Sequence, residues 1–188
     1  MLRNRLLPYP KIILTGGPGS GKTSIIEELR SRGFQCIDEV GRKIIQEQLE
    51  MGGDALHWGD QIKFRDLMLS RSVEDYLSVE ETKKPVFFDR GIPELIGYSY
   101  LINQPVSEEC KLAAEKYRYH QNVFIAPPWL EIYQNDAERK QDFQEAIATY
   151  EAVKKSYIEC GYNVIELPKV DVDGRVTFIL EHLAQKLP

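Results

Sequence analysis

Cysteine is scarce: Cys36, Cys110 and Cys160 are the three in 188 residues. They are odd in number, widely separated and form no C-x-x-C, which excludes a disulfide framework or a cysteine-built zinc site as the basis of the fold. Each is expected as a buried or half-buried thiol. Histidine is as sparse; His57, His120 and His182 are dispersed and show no metal-ligand spacing. No apolar run approaches the ~20 residues that span a bilayer. The start of the chain, with Arg3 and Arg5, is never followed by the apolar stretch of a signal peptide. Positive charge is in deficit, with 24 Lys and Arg against 29 Asp and Glu for a net charge of −5. With no basic block, a nucleic-acid surface is not expected, because such affinity comes from neutralising phosphates. Repeats and low-complexity tracts are absent too. The expectation is a soluble cytoplasmic protein with no membrane or nucleic-acid partner.

What the chain does have is ordinary globular composition, 43% hydrophobic and 28% charged. A chain this long buries roughly 70% of its unfolded surface, so residues 1–188 are read as one domain. Short apolar runs at 11–15, 34–37, 85–89, 122–126 and 163–167 read as strands. Between them lie helical patterns: Ile25, Ile26 and Leu29 closed by Gly33; Val40, Ile44, Ile45 and Leu49 closed by Gly52; and a long stretch from Trp58 to about Thr82 through Ile62, Leu69, Val73, Tyr76 and Leu77. Further helices are expected at about 93–101, at 107–119 with Ser107 as N-cap, from Phe143 to Gly161, and at the end through Val172, Val176, Ile179, Leu183 and Leu187. Residues 129–142 are polar and poorly periodic, as in a lid. Strands alternating with helices predict an α/β fold, a five-stranded parallel sheet covered on both faces in three α/β/α layers.

The chemistry begins at Gly16, Gly17, Pro18, Gly19, Ser20, Gly21, Lys22 and Thr23, which match G-x-x-x-x-G-K-[ST], followed by Ser24. A chance match in a chain of this length is on the order of one per cent. The motif lies between a predicted strand and a predicted helix, as its mechanism requires. Glycines let backbone N–H groups close round an anion, and the helix N-terminus adds partial positive charge. Lys22 would reach the β- and γ-phosphates of ATP, and the Thr23 hydroxyl would hold Mg²⁺. Asp89, at the end of an apolar strand, is the expected second Mg²⁺ contact. Arg90 could contact a phosphate or pair with Asp89.

Acceptor-side groups should sit at the carboxyl edge of the sheet, where open α/β sheets bind ligands. Asp38 and Glu39 follow the second strand and could orient an acceptor hydroxyl or take its proton; an acidic N-cap and first turn is the alternative. Arg42 could bind an anionic group or pair with Glu39, and Glu94 is a weaker candidate for metal or acceptor contact. In the lid-like stretch, Arg139 is favoured as the cation that closes over the transferring phosphoryl group, with Lys140 and Arg118 as competitors. Tyr9, Trp58 and Trp129 could stack on a base or serve core and lid packing.

Together GGPGSGKT, DEVGRKIIQEQL, VFFDRGIPELIGY and APPWLEIYQNDAERKQDFQEAIATYEAV resemble the bacterial AAA-type P-loop ATPases that are similar to the nicotinamide riboside kinase domain of bifunctional NAD-regulating proteins. The resemblance covers nearly the whole chain. It implies a nucleoside- or nucleotide-kinase-like P-loop NTPase fold, with an acidic-plus-arginine segment at 38–42, the D-R-G at 89–91 and an arginine-bearing lid around Arg139. Family members often carry Asp where this chain has Glu94. The arginine-finger and sensor region of a ring ATPase is not found, so a monomer or homodimer is expected. The leading reading is an Mg²⁺- and ATP-dependent phosphotransferase acting on an unidentified small, possibly nucleoside-like metabolite. An ATP hydrolase acting as a switch and a nucleotide-binding interaction protein with little turnover are the alternatives.

Overall fold

A computed structural model describes residues 10–79, 84–133 and 142–184. Arg139, Lys140, Tyr9, Leu187 and most of the lid-like stretch therefore lie outside the described residues. Five strands, β1 (Lys11–Gly16), β2 (Gln35–Ile37), β3 (Val86–Asp89), β4 (Asn122–Ala126) and β5 (Asn163–Glu166), form one parallel sheet in the order β2-β3-β1-β4-β5. The helices are α1 (Lys22–Ser31), α2 (Val40–Met51), α3 (Gln61–Ser78), α4 (Glu94–Leu101), α5 (Glu108–Lys116), α6 (Phe143–Glu159) and α7 (Val172–Ala184). All five predicted strands are present, and the three-layer α/β/α architecture is as expected.

Alternation along each central strand explains the layering, since successive side chains face opposite sides of a sheet. Ile12, Leu14, Phe87 and Phe124 point into one apolar cluster with Ile25, Ile26 and Leu29 of α1 and Val176, Ile179 and Leu183 of α7. Ile13, Phe88, Val123 and Ile125 point into another with Ile96, Ala113, Val153 and Tyr157, which belong to α4, α5 and α6. A third, smaller cluster of Ile44, Ile45, Leu56 and Phe64 joins α2 to α3 beside the sheet.

Helix ends follow their local chemistry. The Ser107 side chain accepts from Cys110 N, the Asp60 side chain accepts from Lys63 N, and Asp142 and Glu145 form a reciprocal capping box at the start of α6. Two expectations about apolar faces need correction. Leu49, Trp58, Ile62 and Leu77 are exposed, and α3 begins only after Trp58. Its inward face carries Leu69, Val73 and Tyr76 as expected, joined by Phe64 and Met68. The run of apolar residues before Asp60 shifted the predicted face, whereas the Asp60 cap sets the true start. Among the described residues no helix is long and apolar enough to cross a membrane.

Candidate functional site

Strand order reverses around β1, which has β3 on one side and β4 on the other. In open α/β sheets the crevice outside such a reversal is where ligands bind. Here the chain leaves β1 through the glycine-rich loop and enters α1 at Lys22. Gly21, the N-cap, has φ +83°, a left-handed conformation that glycine adopts without strain. Gly17 is held by a close approach: a Cβ there would lie 2.5 Å from the Ala146 carbonyl oxygen of α6. Ser20 Oγ donates to Gly17 O at 2.8 Å and cross-braces the loop. The Lys22 side chain is buried and folds back over the loop, with Nζ donating to Gly16 O at 3.1 Å and Gly17 O at 3.0 Å. Thr23 and Ser24 are exposed at the first turn of α1.

Beside this loop opens a cleft of about 610 Å³. Pro18 lies at its phosphate-loop end. Asp38 and Glu39 come from the end of β2, Asp89 and Arg90 from the end of β3, and Glu94 and Tyr98 from α4. His57, Trp58, Gln61 and Phe64 line it from the α2–α3 side, Glu145 and Thr149 from α6. Arg90 is central and conformationally costly. It has φ +77°, a region side-chain-bearing residues seldom adopt and which costs about 1–3 kcal/mol, and its N–H donates to Leu14 O at 3.0 Å. Its guanidinium pairs with Glu94 through Nη1 and lies 3.1 Å from Glu39 Oε1 through Nε, within ion-pair reach although not aligned as a hydrogen bond. Burial lowers the Arg90 pKa from its ordinary value, and the neighbouring Asp89 carboxylate acts in the opposite direction.

The carboxylates here have different surroundings. Glu94 is buried and committed: Oε1 pairs with Arg90, and Oε2 accepts from Thr15 Oγ1 at 2.7 Å and from the Tyr157 hydroxyl at 3.4 Å. Glu39, also buried, faces two guanidinium groups, with Arg42 Nε 3.5 Å from Oε2. Asp89 is buried, and its Oδ1 has no hydrogen-bond partner among the described residues. Asp38 is exposed and tied to Arg30 of α1 at 2.6 Å. The predicted residues Glu39, Asp89 and the phosphate loop are thus brought together, with Asp38 at the rim. Arg118 is not: its guanidinium lies 4.1 Å from the Tyr162 ring and donates to Ala114 O and Cys160 O. Among the described residues no three His, Cys, Asp or Glu side chains gather as a metal cluster.

Several residues that line or support the site escaped the sequence reading. Tyr98 has a buried hydroxyl with no hydrogen-bond partner among the described residues, and burial pushes its pKa up to about 12. Phe64 stacks edge-on against Tyr98 with centroids 5.8 Å apart. Arg175, buried in α7, donates from Nη1 to Ser20 O at 2.9 Å. The signal for Arg175 was a charge within the apolar stripe of the last helix. Glu94, already a candidate in the sequence, meets Arg90 at the i,i+4 spacing.

Solved structures share this architecture. Shikimate kinase from Acinetobacter baumannii in complex with shikimate is 17% identical, with 96% of each chain covered and a TM-score of 0.61. Thymidylate kinase from Ehrlichia chaffeensis is 15% identical, with a TM-score of 0.63 over 94% of this chain and 100% of that one. NadR protein in complex with NR is 16% identical, with a TM-score of 0.65 over 96% of this chain and 53% of its own. At such identities the likeness establishes a P-loop kinase fold. Among curated proteins, a nucleotide-binding protein of Saccharophagus degradans (strain 2-40) is 41% identical over 46 residues, which is 24% of this chain and only 16% of that protein. The sequence profile described as an AAA domain matches residues 11–175, and with the phosphate loop, the β1-centred sheet and the kinase-like architecture in place, the chain belongs to that AAA domain family.

Proposed function

We propose that this protein transfers the γ-phosphoryl group of ATP to a hydroxyl of a small molecule held in the 610 Å³ cleft. The cleft is the observation that carries the reading, because a hydrolase whose acceptor is water has no need of an apolar and aromatic chamber beside its phosphate loop. Among the described residues its lining carries six carboxylates, Asp38, Glu39, Asp75, Asp89, Glu94 and Glu145, and the guanidinium of Arg90, with Arg30 paired to Asp38 and Arg42 to Glu39. Such a lining repels an acceptor that bears a phosphate or carboxylate and suits a neutral or cationic alcohol.

In this reading the loop amides and Lys22 hold the β- and γ-phosphates, exchanging the Lys22 contacts to Gly16 O and Gly17 O for phosphate oxygens. Asp89 and Thr23 fit a Mg²⁺ contact, since an unpartnered buried carboxylate oxygen and an exposed hydroxyl are the hard oxygen donors that ion takes along with water and phosphate. Bound there, Mg²⁺ supplies charge neutralisation between the β- and γ-phosphates. Glu39 orients the acceptor hydroxyl and receives its proton as the new O–P bond forms and the bond to ADP breaks. Glu94 is too fully committed to serve; it fixes Arg90, which in turn fixes Glu39. Arg139, outside the described residues, is the cation proposed to close over the transferred group. Alignment and charge stabilisation then supply most of the rate.

The test is turnover of Mg-ATP with and without a pool of nucleosides, sugar alcohols and vitamin precursors, following ADP and free phosphate together. Acceptor-dependent ADP in excess of phosphate is the expected result. Equal ADP and phosphate whatever is added overturns the transferase reading in favour of a hydrolase.

A further inference from the structure

Arg175 is 2% exposed, yet among the described residues no carboxylate lies within ion-pair distance of it. Buried arginines are rare unless paired, because the interior does not repay the lost hydration of the cation. The two acids nearest in sequence are occupied elsewhere: Asp171 Oδ1 accepts from Gly174 N at 2.9 Å, and Asp173 pairs with Arg32. What compensates the charge is modest. Nη1 donates to Ser20 O at 2.9 Å, Nε donates to Pro168 O at 3.1 Å, and the guanidinium carbon lies 4.8 Å from the Trp129 ring centroid. Nη2 is buried with no hydrogen-bond partner among the described residues. An under-compensated cation is thus held directly against the backbone of the phosphate loop.

We infer that Arg175 is a positioning residue of the phosphate site and the standing positive charge behind it, balanced only when a polyphosphate enters the loop. The geometry supplies two actions. Across a planar trans peptide the carbonyl and the following N–H point in opposite directions, so anchoring Ser20 O on Arg175 aims the Gly21 N–H away from the guanidinium, toward the anion. Burial also keeps the charge from being screened by solvent, so its field acts on the phosphates through the loop. Trp129 braces the guanidinium from the other side and joins the segment after β4 to the same loop. The inference rests on nucleotide occupying the phosphate loop, whatever the acceptor.

Calorimetric titration of wild type, Arg175→Lys and Arg175→Gln with Mg-pyrophosphate and Mg-ATP tests it, alongside melting of each ligand-free protein. The expected result is an affinity of folded Arg175→Gln for both ligands about tenfold to a hundredfold weaker, the scale of one lost charged contact, with Arg175→Lys between the two. A merely structural arginine instead predicts a lowered ligand-free melting temperature and unchanged affinity in the folded protein, and that result overturns the inference. Should neither variant fold, Trp58→Phe leaves Trp129 as the one indole of the two in the chain. A change in its emission with Mg-pyrophosphate supports the coupling, and none overturns it. Wild type that binds neither ligand overturns the phosphate-site reading itself and this inference with it.

Discussion

The two halves of the cleft are built on opposite plans. The phosphate half is made of backbone, with contiguous residues packed so tightly that Gly17 touches α6 and Ser20 is braced from both Gly17 and Arg175. The acceptor half is made of side chains drawn from β2, β3, α3, α4 and α6, and carboxylates dominate its lining. In the proposed reading the first presents N–H dipoles and cations to a polyphosphate. The second presents a shape and a charge to a ligand that differs from one kinase to the next. A sheet edge that joins them can keep one half constant while the other changes, which is how a single fold serves many acceptors.

The largest expected effect is the one that removes the phosphate half alone. Lys22→Ala should lower turnover by about 10³-fold or more, because no other side chain in the loop supplies a cation to the γ-phosphate. The fold should survive, since Lys22 Nζ donates to Gly16 O and Gly17 O, carbonyls of its own loop. Turnover near wild type in a variant with a normal melting curve would dissolve the distinction between the halves.

A second pair of substitutions cuts within the acceptor half. Glu39→Gln should lower kcat by about 10²- to 10⁴-fold, the usual worth of a positioned general base. Asp38→Asn should change kcat by no more than about threefold, because Asp38 is exposed and joined to Arg30 in a surface pair of the kind worth little. Steady-state kinetics on both variants settles which of two adjacent carboxylates acts. Equal losses would mean that the Arg30 contact is broken in the ternary complex.

The same contrast explains what was legible in the sequence. A backbone-built site needs its glycines and its lysine at fixed local spacing, so residues 16–23 declared themselves, as did the strand that ends in Asp89. A side-chain site is assembled by tertiary packing, and its members carry no mutual spacing. Phe64 and Tyr98 meet only because α3 packs on α4. Glu94 stood in the sequence as a weaker candidate for metal or acceptor contact, but its burial against Thr15 of β1 and Tyr157 of α6 comes only from the fold. Arg175 contacts Ser20 across 155 residues of chain, a distance no local pattern spans. Periodicity also misplaced Leu49 and Leu77, which are exposed because α2 and α3 flank the sheet edge and bury one narrow face each.

The smallest effect expected is a proton response confined to the acceptor half. His57 lies on the cleft wall with its ring edge-on to Trp58 at 4.2 Å, and burial lowers its pKa from 6.5 while Glu145 partly opposes the shift. A folded-state pKa below the unfolded one means that the unfolded chain binds the proton more strongly. The stabilising contribution of neutral His57 is therefore complete above about pH 6.5 and declines as pH falls toward the lowered folded value. Urea unfolding at pH 7.5 and pH 5.5 should show a larger loss of stability in wild type than in His57→Gln, where nothing titrates at that position. Identical losses in the two proteins would mean that the ring is solvated in solution and that the wall beside Trp58 is more open than the cleft geometry requires. A larger loss in wild type, with unchanged Mg-pyrophosphate affinity at both pH values, would place the titration on the acceptor side and leave the backbone-built half indifferent to it.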